Sequence, residues 1–232
     1  MLNLVNHKFI LVQILKEIYS DKDIGPIVGF KGDTAIYLFY NLPRFSVDLD
    51  FNLLDETKKN MVFGKIKNIL TKYGKLKETK QKRFTLFFIL SYGEKNTNVK
   101  VEISKRKYPD KYELKNYLGI PMLVMRPEDM TAHKLVALLE RKSLANRDLF
   151  DVWYFFKNNW SINSELIELR TGEKIKDILK RCIKVVEKIN EKDILQGLGE
   201  ILDKRQKDWV KAKLKQELLF LLKYYLDNID SL

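Results

Sequence analysis

Two aspartates with the spacing of a metal-binding pair lie in the stretch Val47–Leu54. Apolar and polar residues alternate there as in a strand with one buried face, so Asp48 and Asp50 project from the same side. Neighbouring carboxylates repel one another, and a divalent cation relieves that repulsion. Because Mg²⁺ takes a few carboxylate ligands together with substrate phosphates, the pair predicts a site for Mg²⁺ (or Mn²⁺).

Glu102 is the candidate for a third acidic ligand. In the stretch Val99–Ile103 apolar residues alternate with polar ones, so Lys100 and Glu102 share the polar face. If this strand neighbours the one carrying the aspartates, Glu102 would complete the metal site or accept the proton of an attacking hydroxyl. The competing interpretation is a surface glutamate paired with Lys100.

A phosphate-binding turn is predicted upstream, at Gly29–Thr34. A short apolar strand leads into Gly32, and a helix begins there whose first N–H groups have no partner within the helix. Phosphate binds readily to such groups. A phosphate-binding turn that precedes a metal-binding carboxylate pair is typical of phosphoryl or nucleotidyl transfer.

The elements that must position these residues follow from hydrophobic periodicity and turn signals. Strands are expected at Ile27–Phe30, Val47–Leu54, Phe84–Leu90, Asn98–Ser104 and near Met122–Met125, with a hairpin connection at Gly93–Asn96. Helices are expected among them at Leu2–Tyr19, Gly32–Asn41 and Asp55–Tyr73. Beyond residue 126 the pattern indicates helices alone, at Pro127–Arg141, Arg147–Lys157, Ser164–Gly172, Lys174–Asn190, Lys192–Lys204 and Gln206–Asp230.

This order predicts an α+β protein with two parts. Residues 1–126 are expected to form an α/β domain with a mixed sheet, and residues 127–232 a helical domain packed on it. The aromatic run Trp153–Phe156 is expected in the core of the helical part.

Composition excludes several classes of protein. Of the 232 residues, 45% are hydrophobic and 32% are charged, which suits a folded core and not a disordered chain. Cys182 is the single cysteine and only two histidines accompany it, so a disulfide framework or a Cys/His metal cluster is excluded. No apolar run is long enough to span a membrane, and Met1–Ile18 has an amphipathic pattern unlike a signal peptide, so a cytoplasmic protein is expected.

Positive charge is concentrated in one quarter of the chain. The net charge is +12, and residues 56–115 contain 17 basic and 6 acidic residues. Such a segment attracts nucleotide triphosphates or a polynucleotide backbone. The alternative is a lysine-rich surface that serves solubility, because lysine is a less selective phosphate ligand than arginine.

Three motifs together resemble the AbiEii/AbiGii-type nucleotidyltransferase toxins. The first combines Lys31–Ala35 with Arg44–Phe51, the second is Asp129–Lys134, and the third is Arg147–Asp151. The resemblance implies the DNA polymerase β-like nucleotidyltransferase fold and Mg²⁺-dependent transfer of a nucleoside monophosphate from an NTP. It also implies a toxin restrained by a separately encoded antitoxin. For some members of the family it implies an RNA acceptor, particularly the tRNA 3′ end.

The resemblance also implies roles for individual residues beyond the three acids. Lys134 would contact the nucleotide phosphates and assist catalysis. The nucleotide-binding candidates are Gly32, Thr34, Ser46, Lys134, Asp148 and Asp151. For the residues of the second and third motifs the sequence leaves structural roles open, such as a surface ion pair between Arg147 and Asp151 four residues apart.

Asp33 departs from the family pattern, which has glycine or serine at that position. A carboxylate beside the triphosphate would repel it, so the sequence predicts tighter binding of Mg·NTP to Asp33→Gly unless Asp33 caps its helix. The departure keeps open a catalytically weak nucleotide- or RNA-binding module that retains the fold. A small-molecule nucleotidyltransferase of the aminoglycoside type is the third hypothesis, and the positive charge disfavours it because a polycationic acceptor needs an acidic pocket.

Overall fold

A computed structural model describes residues 3–93, 97–141, 145–199 and 201–229. The chain forms two compact units, Met1–Met125 and Arg126–Leu232. All strands of the described residues lie in the first unit, and the described part of the second unit is helical. The observed α+β architecture confirms the predicted fold class.

The first unit is a mixed sheet with three helices. Its elements are α1 (Leu4–Ser20), β1 (Val28–Lys31), α2 (Gly32–Phe39), β2 (Leu49–Leu53), α3 (Lys59–Thr71), β3 (Lys75–Gln81), β4 (Thr85–Tyr92), β5 (Thr97–Ser104), β6 (Tyr112–Tyr117) and β7 (Ile120–Met125). Within the described residues the seven strands are ordered β3-β4-β5-β2-β1-β7-β6. The pairs β2–β5 and β1–β7 are parallel, and the other pairs are antiparallel.

The alternation in the central strands decides which face of the sheet is buried. Leu49, Phe51 and Leu53 of β2 point into the core, and so do Val99, Val101 and Ile103 of β5. Helix α1 contacts α3 and β7, and α3 contacts β3 and β4. The ring of Tyr19 in α1 lies 6.5 Å from that of Phe51. The apolar face is therefore covered by helices, and the polar residues of β2 and β5 emerge on the other face.

The second unit contains the helices α4 (Pro127–Glu140), α5 (Asn146–Lys157), α6 (Ser164–Thr171), α7 (Ile175–Glu187), α8 (Lys204–Trp209) and α9 (Lys215–Asn228). Helix α4 contacts α5, α6 and α7, and α9 contacts α5 and α7. The aromatic run is in the core as expected, since Trp153 is 6% and Phe155 0% exposed. No helix of the described residues has the length and apolarity needed to cross a membrane.

The two strands that sequence analysis missed, β3 and β6, are the two edges of the sheet. Most side chains of β3 are polar, and several are exposed on both faces of the strand. A strand at a sheet edge needs neither a buried face nor an apolar alternation, because the main chain of its neighbour supplies the hydrogen bonds. Propensity patterns therefore do not reveal it.

The predicted helix Lys192–Lys204 was wrong. A 3₁₀ turn at Glu191–Asp193 is followed by turns, and Gly197 has a left-handed φ of +75° that ends regular helix. The predicted helix Gln206–Asp230 corresponds to α8, a π-helical stretch at Val210–Leu214, and α9. Strands β4 and β5 pair antiparallel as expected, whereas the hairpin connection falls on residues 94–96, outside the described part.

We predict that Gly29→Ala destabilises the first unit. A Cβ at Gly29 would lie 2.1 Å from Cε1 of Tyr112, whose ring covers the polar face of β1. Displacing this ring should cost about 1–3 kcal/mol in the free energy of unfolding. Gly64→Ala is the matched control, since its Cβ meets nothing within 4 Å and alanine favours the helix by up to about 1 kcal/mol. Urea unfolding of both variants measures the difference, and equal stability would contradict the close packing.

Candidate active site

The three predicted acidic residues lie on the polar face of the neighbouring strands β2 and β5. In the parallel pairing of these strands, Asp50 lies directly opposite Glu102. Asp48 precedes Asp50 by two residues, so its side chain lies on the same face. The apolar neighbours Leu49 and Val101 are fully buried on the other face, which fixes the register.

Lys100 lies among these carboxylates, a position that sequence analysis treated only as a possible surface pair. Its Nζ is 3.5 Å from Oδ2 of Asp48 and 3.7 Å from Oε2 of Glu102. Its backbone N–H also donates to Oδ1 of Asp48 at 3.3 Å. Burial alone would lower the pKa of Lys100, but the charges of Asp50, Asp48 and Glu102 outweigh it and raise the pKa. The ammonium therefore partly neutralises the acidic group.

The pKa of Asp50 is well above its usual range. Desolvation raises its pKa to about 6, and the negative charges of Asp33 and Asp48 act in the same direction. The positive charges of Lys100 and Lys31 oppose this rise in the pKa. Lys31 in β1 is paired with Asp50 in β2. A carboxyl group whose ionised form is disfavoured by burial is a candidate functional group, because a bound cation would stabilise that form.

Gly32 brings the start of α2 against Asp50. Its φ is +77°, and a Cβ there would lie 3.0 Å from Oδ2 of Asp50. Any other residue would meet both backbone strain and this carboxylate. The N-cap residue Lys31 provides no side-chain cap, so the first turn of α2 begins beside the acids without one. This is the predicted turn, and its phosphate-binding role stays a prediction.

Thr34 and Ser46 connect the first turn of α2 to the chain just before β2. Both are buried, and the Thr34 hydroxyl lies 2.8 Å from the Ser46 hydroxyl. The Thr34 hydroxyl also donates to the main-chain carbonyl of Asp48. These contacts position Asp48, so the hydroxyls have a structural role in addition to the predicted phosphate contact.

His7 is a positioning residue that sequence analysis missed. It is fully buried, and its Nε2–H donates to the carbonyl of Val47 at 2.9 Å while Nδ1 lies 2.6 Å from the Tyr92 hydroxyl. Burial lowers the pKa of His7, which favours the neutral ring. A lone histidine in an amphipathic helix gives no sequence signal of such a contact, since its partners lie 40 and 85 residues away.

Asp33 differs from the expectation of a carboxylate that faces the triphosphate unopposed. Its Oδ2 lies 2.6 Å from Nη2 of Arg44, whose side chain is 1% exposed. Asp33 is in the first turn of α2 but is not its N-cap, which is Lys31. Arg44 already compensates the negative charge of Asp33. This weakens the reason for expecting that Asp33→Gly binds Mg·NTP more tightly.

The donor set at this site fits a divalent cation in chemistry and in strand register. Three carboxylates share one face, and the protonation of Asp50 is sensitive to a positive charge beside it. Their side chains do not converge, since no three His, Cys, Asp or Glu groups of the described residues are placed to hold one ion. One or two carboxylates with substrate phosphates suffice for Mg²⁺. The assignment of all three acids to metal stays a prediction.

In the second unit, Lys134 lies between two buried aspartates. Its Nζ is 3.1 Å from Oδ1 of Asp148 and 2.8 Å from Oδ2 of Asp151, both carboxylates being 0% exposed. Nε of Arg141 lies 3.0 Å from the second oxygen of Asp148 but without hydrogen-bond alignment. The third-motif aspartates are thus buried partners of Lys134, and not members of a surface pair. Whether they contact nucleotide stays a prediction.

The second motif shows a different arrangement at Asp129. Its carboxylate is fully buried and accepts from Nδ2 of Asn163 at 2.6 Å, and Asn163 caps α6. Asp129 therefore joins α4 to the start of α6.

Comparison with protein families identifies the chain. The model of the nucleotidyl transferase AbiEii toxin family, of Type IV toxin–antitoxin systems, matches residues 13–225. The protein belongs to this family. The match spans nearly the whole chain and confirms the resemblance drawn from the three motifs, and it makes the protein a nucleotidyltransferase. Membership also implies an antitoxin partner.

Solved structures agree on the fold. A "putative nucleotidyltransferase" from H. pylori has a TM-score of 0.65 at 20% identity, with 100% of this chain and 98% of that chain covered. JHP933 from Helicobacter pylori has a TM-score of 0.59 at 20% identity, with the same coverage. At this identity the likeness concerns the fold alone. Comparison with curated proteins gives no match.

We predict that Asp50→Asn is more stable than the wild type at pH 8. The folded state raises the pKa of Asp50 to about 6, so stability is lost as pH rises from about 4 through 6. Asparagine carries no charge to desolvate, and the gain should be on the order of 2–3 kcal/mol above pH 6 and vanish below pH 4. Thermal unfolding from pH 4 to 8 measures this gain. Exposed Asp208→Asn is the control, and a pH-independent difference for Asp50→Asn would contradict the prediction.

We also predict that Asp33→Asn destabilises the protein. The substitution removes a carboxylate from the buried Arg44 guanidinium, at a cost of about 2–3 kcal/mol. Urea unfolding of Asp33→Asn, Arg44→Met and the double variant forms a double-mutant cycle, in which the double variant should lose less than the sum of the single losses. Additive losses, together with tighter Mg·NTP binding to Asp33→Gly, would restore the expectation drawn from sequence.

Proposed function

We propose that the protein transfers a nucleoside monophosphate from an NTP to an RNA acceptor such as tRNA, and that it does so as the toxin of a toxin–antitoxin or abortive-infection system. The observation that supports this most directly is the pairing of Asp50 with Glu102 across β2 and β5, beside Gly32 at the start of α2. Residues 1–126 would be the catalytic domain and 127–232 a helical domain. The reaction, its antitoxin control and the RNA acceptor would be cytoplasmic.

Asp48 and Asp50 would hold Mg²⁺ (or Mn²⁺), with Glu102 as a further ligand. When bound, the cation would supply charge neutralisation for the triphosphate and orient its α-phosphate. Asp50 would be ionised in that state, since a neighbouring positive charge lowers the pKa that burial raises.

Glu102 would act on the acceptor. Its carboxylate accepts the proton of the acceptor hydroxyl, whose oxygen forms the new bond to the α-phosphorus. The bond between the α-phosphorus and the bridging oxygen of the β-phosphate breaks, and pyrophosphate leaves with the electron pair. Lys100, between Asp48 and Glu102, would limit the repulsion between the acids and the triphosphate.

The remaining candidates would bind the nucleotide. The main-chain N–H groups of Gly32 and the first turn of α2 suit phosphate, with the Thr34 and Ser46 hydroxyls holding that turn in place. Lys134 would contact the phosphates and counter the charge that develops on the leaving group. Asp148 and Asp151 would act in nucleotide binding through Lys134, whose ammonium they fix.

A second candidate is a catalytically weak nucleotide- or RNA-binding module. The position of Lys100 favours it, because an ammonium among the carboxylates already supplies part of the charge that a metal would bring. The two candidates differ in one property, which is whether a covalent bond forms between nucleotide and RNA.

The test is incorporation of label from NTPs into RNA. Each NTP, labelled in turn at the α- or γ-phosphate, is incubated with tRNA and Mg²⁺ or Mn²⁺, and the RNA is separated by electrophoresis. Nucleotidyl transfer predicts label on RNA from the α position only. Asp48→Asn and Glu102→Gln should reduce it about 100-fold or more, because several kcal/mol of charge stabilisation are lost. Exposed Glu165→Gln is the control and should keep wild-type activity.

The outcomes separate the candidates. If calorimetry shows that the protein binds nucleotide but no label appears on RNA, the binding module replaces the RNA nucleotidyltransferase as the proposed function. Label from the γ position would indicate phosphoryl transfer and overturn the proposed reaction.

A further inference from the structure

The chain between β5 and β6 forms a cavity that the proposed chemistry does not use. Its volume is about 230 Å³, and its polar and aromatic lining is Asn52, Arg106, Lys107, Tyr108, Asp110 and Tyr112. This volume is below the roughly 300–1,000 Å³ of pockets for drug-sized ligands. It has room for a group of the size of one nucleobase.

The cavity is on the same face of the sheet as the acidic residues. Asn52 follows Asp50 by two residues in β2, and its partner in β5 is Ser104, two residues after Glu102. Two residues of strand span about 7 Å. The part of the cavity that Asn52 lines therefore lies about 7 Å from Asp50 along β2.

A hydrogen-bonded floor holds the cavity in shape. Nδ2 of Asn52 donates to Oδ2 of Asp110 and lies within bonding distance of the Tyr112 hydroxyl, at 2.7 Å in both cases. Asn52 is 5% exposed, and the Tyr112 ring lies against Gly29. Because the lining is fixed by these contacts, a ligand would not need to order it first.

The rim of the cavity continues into exposed arginine and aromatic side chains. The guanidiniums of Arg83 and Arg106 each lie 4.9 Å from the centroid of the Phe84 ring, which is 44% exposed. Nζ of Lys82 lies 3.7 Å from the centroid of Phe87. Arg106 belongs to both features, since it also lines the cavity. Stacked guanidiniums keep their N–H edges available to phosphate and their planes to bases.

Charge indicates what kind of ligand suits this surface. Lys82, Arg83, Arg106 and Lys107 lie at this surface, and Asp110 is the acidic residue in the cavity lining. A positive surface with interleaved aromatic rings is the arrangement that binds single-stranded nucleic acid, with phosphates on the cations and bases on the rings. A duplex keeps its bases stacked and cannot place one in a cavity of this size.

We propose that a single-stranded RNA segment binds, as acceptor, to the surface formed by Arg83, Phe84 and Arg106 and by the cavity that Tyr108 lines. One base enters the cavity, and the neighbouring phosphates contact the two arginines. The inference rests on the proposed function only for the identity of the RNA as acceptor, since binding itself needs neither NTP nor metal.

The test uses a fluorescently labelled single-stranded RNA 12-mer and the full chain, without NTP. Fluorescence anisotropy measures the binding of this RNA at several salt concentrations. Arg83→Ala/Arg106→Ala should weaken binding about tenfold or more and reduce the magnitude of the slope of log K against log salt by about 1.4, because two phosphate contacts are lost. Phe84→Ala and Tyr108→Ala should each weaken it about fivefold or more. Duplex RNA of the same sequence should bind more weakly to the wild type.

Matched controls lie in the second unit. Exposed Arg205→Ala and Phe220→Ala remove the same side-chain types and should bind RNA as the wild type does. Thermal unfolding confirms that each variant is folded. Wild-type affinity in the Arg83, Phe84 and Arg106 variants, or preference for duplex, would overturn the acceptor surface.

The result is independent of the proposed function. If the wild type transfers labelled nucleotide to RNA while these variants bind RNA normally, only the surface is wrong. If the variants lose RNA binding while the wild type labels no RNA, the surface stands and the reaction is wrong.

Discussion

The first unit is organised around the repulsion between carboxylates on one face of its sheet. Asp48, Asp50 and Glu102 are held on one face of the sheet by the register of β2 and β5, which the buried residues on the opposite face enforce. Burial and mutual charge raise the pKa of Asp50 to about 6. Lys100 offsets part of this cost. The cation proposed for this site would relieve the repulsion among the acids, because a positive charge beside Asp50 stabilises its ionised form.

The contacts around the acids serve to keep that arrangement fixed. His7 holds the carbonyl of Val47, and the Thr34 hydroxyl holds that of Asp48, so the main chain before β2 is fixed from two helices. Gly32 permits α2 to begin against Asp50, where a side chain would not fit. These residues contribute by positioning, and their substitution would disturb the site without changing its charge.

In the second unit the arrangement of charges is reversed, because a lysine lies between two carboxylates. Lys134 is held by two aspartates that are fully buried, and such carboxylates require a cation beside them. The lysine is therefore fixed in one place, and a phosphate that contacts it would meet a preorganised charge. The family resemblance assigns nucleotide roles to the same three residues, and the buried network gives a physical reason for their co-occurrence.

The sequence by itself determined the fold class, the central strands and the candidate acids, because alternation and turn signals depend on local chemistry. The alternation in Val47–Leu54 and Asn98–Ser104 predicts one buried and one polar face for each strand. The carboxylates of the site are among the residues of the polar faces. The three motifs led to the correct family. Only the tertiary structure decided the edge strands β3 and β6, whose main chains are ordered by their neighbours and not by their own side chains. It alone placed Lys100 among the acids, His7 against Val47 and Arg44 against Asp33, because each of these contacts joins separate elements of the chain, and local periodicity carries no information about them.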